Sequence, residues 1–386
     1  MTEIPLTVDE RQELITLLCS LIQHPSENPP GNENAVAHYI ADLLRSEGIE
    51  THMQEVVPGR PNVIARLRGK EPGKRLIFNG HTDVVPCGAG WSVDPFAAVI
   101  DGDRIIGRGA ADMKSGVAAM IFAALLIHRR QYAFNGEILL LFNVDEERIN
   151  LGMEHFVAQG VAADYAIIGE PTSLEICVAH KGVSRTRLTT HGTAGHAAKT
   201  RNPDSAIDKM AALFPALLDE CRRVKQQHHE LLGNASMLVT TITGGSAPNI
   251  VPQSCCVEID RRVLPGEQRS AINASLQTAL ANAGLNAQQD YSLENYLFIP
   301  ASAIDEAHPL VESACEAVKM VTGAAQKTIF DATCEAPFFS VGCAIPTIIM
   351  GPGDLAQAHV KDEFVRIEEL HQAAQIYTSL ALNLLQ

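Results

Sequence analysis

Four short apolar runs, each leading into a residue that can bind a metal or a proton, constrain the fold of this chain more than any other feature. Arg75-Leu-Ile-Phe runs into Asn79-Gly-His81-Thr-Asp83, and Ile138-Leu-Leu-Leu-Phe runs into Asn143-Val-Asp145-Glu146-Glu147. Ala166-Ile-Ile leads to Gly169-Glu170-Pro-Thr, and Ile348-Ile-Met leads to Gly351-Pro-Gly and then His359. Unbroken apolar runs of this length, bounded by turn residues, predict strands buried on both faces. Helical stretches between them, notably 116–127, predict an α/β sheet covered on both sides. Ligands in such sheets bind outside the carboxyl ends of the strands, so His81, Glu146, Glu147, Glu170 and His359 are expected to converge there.

Taken singly, each of these residues has an ordinary explanation as a turn histidine, a solvated loop acid or a surface imidazole. Jointly, at four strand ends, they do not. Asp112 lies in Gly107-Arg-Gly-Ala-Ala-Asp112-Met-Lys-Ser-Gly116, just before the 117–127 helical run. A carboxylate there can cap the helix or bridge two cations. Two histidines and three carboxylates make a nitrogen and oxygen donor set that suits zinc, with cobalt or manganese as alternatives.

The rest of the chain fits a two-domain protein. Its 386 residues exceed what one core usually organises, and 46% apolar with 19% charged residues is the composition of a folded chain. Thr7 and Glu10 have capping-box spacing ahead of a stripe of leucines, and a second amphipathic helix is predicted between Asn-Pro-Pro-Gly at 28–31 and Gly48. Strands are expected at 62–67, 75–78, 137–142, 165–168 and 346–350. From 183 to 297 the pattern changes to β-α-β-β-α-β, read as a small α+β domain inserted in a larger one at 1–182 and 298–386. Its last strand is expected at 288–293.

Composition also excludes partners. A formal net charge of −15 argues against nucleic acid or an anionic membrane, since either needs clustered Lys and Arg. Nine cysteines with no CxxC pair predict reduced thiols and a cytoplasmic protein, and no secretory signal or membrane span is visible. No GxGxxG or GxxxxGK[ST] pattern follows a strand, and there is no GxSxG elbow, which sets aside nucleotide binding and serine hydrolysis.

The strings His81-Thr-Asp83-Val-Val-Pro86, Gly107-Arg-Gly-Ala-Ala-Asp112-Met-Lys, Asp145-Glu146-Glu147, Gly169-Glu170-Pro-Thr-Ser and Gly351-Pro-Gly…Ala358-His359 resemble those of the acetylornithine deacetylase, succinyl-diaminopimelate desuccinylase and aminoacylase family of co-catalytic zinc hydrolases. The resemblance implies a catalytic domain with a mixed sheet between helices and an inserted lid that also forms a homodimer. It implies two zinc ions bridged by Asp112, with His81 and Glu170 on one and Glu147 and His359 on the other, and a cis peptide at Asp112-Met113. It makes Glu146 the general base that deprotonates a water shared by the metals, and Asp83 the support of His81. In the lid, His196 would stabilise the oxyanion, with His191 a structural neighbour, and Asn249 and Arg262 would bind a substrate carboxylate, Arg261 being the competing arginine. The implied reaction is amide hydrolysis of a small N-acyl-L-amino acid, N-acetylornithine first. A dipeptidase or aminopeptidase on the same metal site is the alternative, and an inactive binding homologue a more distant one. Glu335 is read either as a partner for a cationic substrate side chain or as a solvent-facing loop acid.

Overall fold

The computed structural model describes residues 4–386. Its first helix, Val8–Ile22, begins as the sequence predicts: Thr7 accepts from the Glu10 amide and Glu10 accepts from the Thr7 amide, so two helix-end donors are satisfied reciprocally. Leu14, Leu17, Leu18 and Leu21 then share its buried face. The second helix, Asn34–Ser46, buries Val36, Ile40 and Leu44, and Gly48 follows it at φ 78°.

The chain divides into two compact units. The first runs to Ala179 and resumes with Ala303–Phe330 and Cys334–Gln386. It is organised on a nine-stranded mixed sheet. At one side the strands Glu50–Val57, Arg60–Arg68 and Glu137–Asn143 pair antiparallel. From there Glu137–Asn143, Arg75–His81, Tyr165–Ile168 and Thr347–Ile349 lie in that order and all run parallel. Ile176–His180 follows antiparallel to the last of these, and Ser302–Ala303 and Lys327–Phe330 pair with it in turn. Leu76, Ile77 and Phe78 have no exposed surface, which is why this strand reads as a continuous apolar run rather than an alternating one.

The helix Lys114–Arg129 is buried on every side from Lys114 to Ile127, packed against the strand Arg75–His81 and the helices Val8–Ile22 and Ile367–Leu384. A helix that is apolar all round belongs in an interior. Among the described residues, no helix is long and apolar enough to cross a membrane.

The second unit is His180–Ser302 with Asp331–Thr333. Its four-stranded antiparallel sheet has the order Ser236–Gly244, Ser254–Val263, Gly182–His191, Tyr291–Ile299. The helices Ala206–Val224 and Arg269–Ala281 pack together, the first also lying against the sheet. The last strand starts three residues later than 288 and runs on to Ile299. Residues 286–290 form a turn, with the Asp290 amide bonded to the Asn286 carbonyl and Gln288 at φ 72°.

Candidate metal centre

Because four parallel strands point the same way, the loops after them open on one edge of the sheet. Arg75–His81 ends on His81 itself, Glu137–Asn143 is followed by Asp145, Glu146 and Glu147, and Tyr165–Ile168 by Glu170. After Thr347–Ile349 the chain turns through Leu355–Gln357 to His359, at φ 63°. Asp112 arrives from the loop before Lys114–Arg129, and the Asp112-Met113 peptide is cis. Gly116 lies so close to the Gly169 carbonyl that a Cβ there would collide with it, which seats the start of this helix beside the Glu170 loop.

The side chains then meet. Asp112 Oδ1 is 3.1 Å from His81 Nε2, while Asp112 Oδ2 is 3.3 Å from His359 Nε2. Its two oxygens therefore address two different histidines. His359 Nε2 is also 3.0 Å from Glu147 Oε2, and His81 Nε2 is 3.8 Å from Glu170 Oε1. Potential ligand atoms gather into two compact sets, His81 with Asp112 and Glu147, and His81 with Glu146 and Glu170, each with all atoms within 4.8 Å of one another. By distance alone Glu146 can serve as a ligand as well as a base.

Crowding several largely buried carboxylates against the buried His81 and the half-exposed His359 sets their protonation. For Glu146, burial followed by the charge of Glu335 raises the proton affinity well above the ordinary carboxyl range. Burial and then the Asp112 charge do the same for Glu170 and, less strongly, for Glu147. Burial alone would neutralise His81, but the hydrogen bond to Asp112 and the neighbouring carboxylates outweigh it and hold the ring above its usual value. His359 rises to about 10, through its hydrogen bonds to Asp112 and Glu147. Asp112 is opposed by burial yet driven below the usual range by both histidines. Such a cluster draws in positive charge, and in a metal-free protein the imidazoles supply it as protons.

Asp83 occupies a position that sequence alone does not reveal. Its main-chain carbonyl, not its carboxylate, accepts from His81 Nδ1 at 2.9 Å, while Oδ1 stands 3.7 Å from that nitrogen. The carboxylate accepts instead from the Glu146 amide at 3.1 Å, the Glu147 amide at 3.2 Å and Asn28 Nδ2 at 2.9 Å. Asn28 also donates to Asp145, which receives Arg60, and Arg60 is paired with the fully buried Glu33. The backbone carrying Glu146 and Glu147 is thus held from below.

Glu335 has no exposed surface, so it is not a loop acid facing solvent. Its Oε1 accepts from Asn143 at 3.0 Å and its Oε2 has no hydrogen-bond partner. A single loop acid carries no sequence signal that would have revealed this burial.

In the second unit, Gly195–His196 pairs with Ile250–Val251, and the Ala197 amide donates to the Asn249 carbonyl at 3.0 Å. His196 and Asn249 are therefore neighbours, and both are exposed. His191 meets Ser292 Oγ at 3.1 Å. Arg261 is buried against Glu267 and Gln227, whereas Arg262 projects from the other face and meets Asp260 at 3.1 Å, as strand alternation requires. Ser254 pairs with His191 and Arg262 with Val183, eight residues further along, so the strand separates Arg262 from the His196 and Asn249 end by about 27 Å. The structure brings His196 and Asn249 together but not Arg262.

A family model described as peptidase family M20/M25/M40 matches residues 77–383. The chain is 32% identical over 360 residues to a succinyl-diaminopimelate desuccinylase of Gluconobacter oxydans, covering 88% of this chain and 89% of that protein. It is 31% identical over 357 residues to an acetylornithine deacetylase of Vibrio cholerae, with 90% of each covered. Among solved structures it is similar to an M20 family metallo-carboxypeptidase from Sulfolobus solfataricus, with TM-score 0.81, 20% identity and coverage of 97% and 100%. It is also similar to a dinuclear metal-binding M20 peptidase from Bacillus subtilis, with TM-score 0.72, 19% identity and coverage of 98% and 99%.

Proposed function

The chain belongs to peptidase family M20/M25/M40 and is a metallohydrolase of that family; from that premise we propose that it cleaves the amide bond of small N-acyl-L-amino acids with a free α-carboxylate, N-acetylornithine first. The observation that carries the metal part of this reading is Asp112, whose two oxygens face His81 and His359 separately. Asp112 would be shared by two ions, His81 and Glu170 would help to hold one, and Glu147 and His359 the other. The donors are nitrogen and oxygen without thiolate, which fits zinc and equally admits cobalt or manganese. Bound there, two such ions would supply Lewis acidity to a substrate carbonyl and lower the pKa of water.

Glu146 takes the proton of the attacking water and returns it to the leaving amine. It is assigned as base rather than ligand because Glu147 is the member of the pair that reaches His359. Its raised proton affinity suits a group that must hold the proton between the two steps. Asp83 keeps Glu146 and Glu147 in place through their amides. His196 donates to the oxyanion, and Asn249 and Arg262 bind the substrate carboxylate.

Arg262 stands too far along its strand from Asn249 for one copy to bring both to one carboxylate. This supports a homodimer in which the second copy supplies one of them. The outer strand Ser236–Gly244, with Leu238 64% and Ile242 58% exposed, offers an unpaired edge for that assembly. Among the described residues no two of the nine cysteines form a disulfide, which supports a reducing, cytoplasmic location.

Likeness to a metallo-carboxypeptidase supports a second reading, hydrolysis of dipeptides at the same centre. One experiment separates them: metal-depleted protein is reloaded with zinc or cobalt and assayed on N-acetyl, N-succinyl and N-formyl amino acids, their carboxamides, and dipeptides. Metal-dependent cleavage of the acyl acids over the carboxamides is expected. Faster cleavage of dipeptides favours the peptidase, and full activity without metal overturns both readings.

A further inference from the structure

Glu363 lies four residues after His359 and has no exposed surface. Every partner of its carboxylate is a donor from the loop that carries Asp112. Oε1 accepts from the amides of Ala111 at 2.8 Å and Asp112 at 3.0 Å. Oε2 accepts from the Gly109 amide at 3.1 Å and from Arg108 Nη1 at 2.7 Å. The Glu363 main-chain carbonyl takes the Gly107 amide at 2.9 Å. Next to it, Phe364–Arg366 pairs antiparallel with Arg104–Ile106, so the segment after His359 is stitched alongside the segment before Asp112.

Arg108 completes the brace. It is buried against Glu363, also donates to the Val360 carbonyl at 3.1 Å, and lies over the Trp91 ring at 5.1 Å. Four donors converging on two oxygens can be satisfied only by a carboxylate. A carboxamide of the same shape would turn its NH2 towards two of them. Loop geometry that needs an anion at this point is therefore tied to the segment bearing His359.

We propose that Glu363 is a positioning residue that fixes Asp112 relative to His359 through the main chain of residues 109–112, and thereby sets the affinity of the metal these two ligands share. The proposal rests on the metal reading above. Asp83 does the corresponding task from the other histidine: it follows His81 by two residues and grips the amides of Glu146 and Glu147. Each histidine-bearing segment thus carries an acid that braces a carboxylate-bearing loop from elsewhere in the chain.

The test is metal affinity, measured by competition with a coloured chelator using zinc and cobalt, on the parent, Glu363→Gln and Glu363→Asp, with the melting temperature of each metal-free protein. Glu363→Gln should weaken binding of the shared metal by about ten- to a hundredfold, the usual effect of removing a group that orients a ligand. Glu363→Asp keeps the charge but stops one methylene short, so its affinity should fall between the two. Affinities within about twofold of the parent in both variants, whatever their melting temperatures, would overturn the proposal. If Glu363→Gln fails to fold, Glu363→Asp carries the same test. Amide exchange in the unaltered metal-free protein gives a readout independent of both: Gly109, Ala111 and Asp112 should be protected like core amides, and exchange at open-loop rates overturns the brace. A parent that binds no metal refutes the metal reading itself, whereas a parent that binds two ions and variants that bind them equally refute only the role of Glu363.

Discussion

Replacing Asp83 by Asn tests whether the base is held by the carboxylate beneath it, because the change preserves shape and leaves the main-chain carbonyl that holds His81 untouched. Asp83 accepts three hydrogen bonds, from the amides of Glu146 and Glu147 and from Asn28. An asparagine turned to keep Asn28 and Glu147 presents its NH2 to the Glu146 amide. That leaves a buried donor facing a donor, at about 1–3 kcal/mol, and the two retained bonds lose their charge assistance at roughly 1 kcal/mol each. The total, about 3–5 kcal/mol, is an upper bound on the strain delivered to the loop, since the backbone can relax. If about half of it appears as displacement of Glu146 in the transition state, turnover falls by roughly 10- to 60-fold at about 1.4 kcal/mol per decade. Initial rates on N-acetyl amino acids, with metal in excess so that weakened binding at Glu147 does not intrude, should show the loss in kcat with KM changed by less than about threefold. Turnover within about threefold of the parent, in a variant shown to hold its metals, refutes the idea that Asp83 positions the base.

Three further outcomes are expected. Glu146→Ala should lose at least about two orders of magnitude in kcat while retaining metal, and Glu147→Ala should lose metal, both read by elemental analysis beside kinetics; reversed phenotypes would exchange the two roles. His196→Ala should lower kcat by about a hundredfold or more with metal content unchanged, and an effect no larger than that of His191→Ala would remove it from the reaction. His180 is fully buried, its Nε2 has no partner, and burial depresses its pKa to about 4 despite the hydrogen bond it donates to the Lys181 carbonyl. Between pH 6.5 and 4 the unfolded chain therefore binds a proton that the folded chain refuses, so stability falls with falling pH, by up to roughly 3 kcal/mol from this group. The difference in urea-unfolding free energy between parent and His180→Gln should narrow by that amount across this window, and a constant difference would show that the ring titrates normally.

Much of this architecture was legible in the sequence because burial on both faces imposes a simple signature. Runs such as 138–142 and 166–168 cannot alternate when helices cover both sides, and the residues after them mark where the chain leaves the sheet. The Thr7 and Glu10 cap is local and so equally visible. The helix Ile367–Leu384 is not legible in the same way, because Gln375, Thr378 and Ser379 are buried within it and blur its apolar stripe. The strand Ile176–His180 is hidden for a different reason: it pairs with residues far along the chain, Ile349 among them. Long-range encounters also hide the work of Asp83 and Glu363. Their types fit many loops, and only the fold brings one to amides 63 residues away and the other to amides more than 250 residues away.

The strand Thr347–Ile349 sits between Tyr165–Ile168 and Ile176–His180 in the sheet. On the ribosome that slot must wait. Roughly 180 residues separate the strand from its parallel neighbour, which at 5–20 residues per second is about 10–40 s of synthesis. During this interval His81, Asp112 and Glu170 have all emerged while His359 has not, so the nascent chain holds two raw sheet edges and a half-built centre. Holdase chaperones and free metal would meet that intermediate before they meet the finished protein, and a ribosome stalled short of residue 347 would leave an adhesive product rather than a small active one.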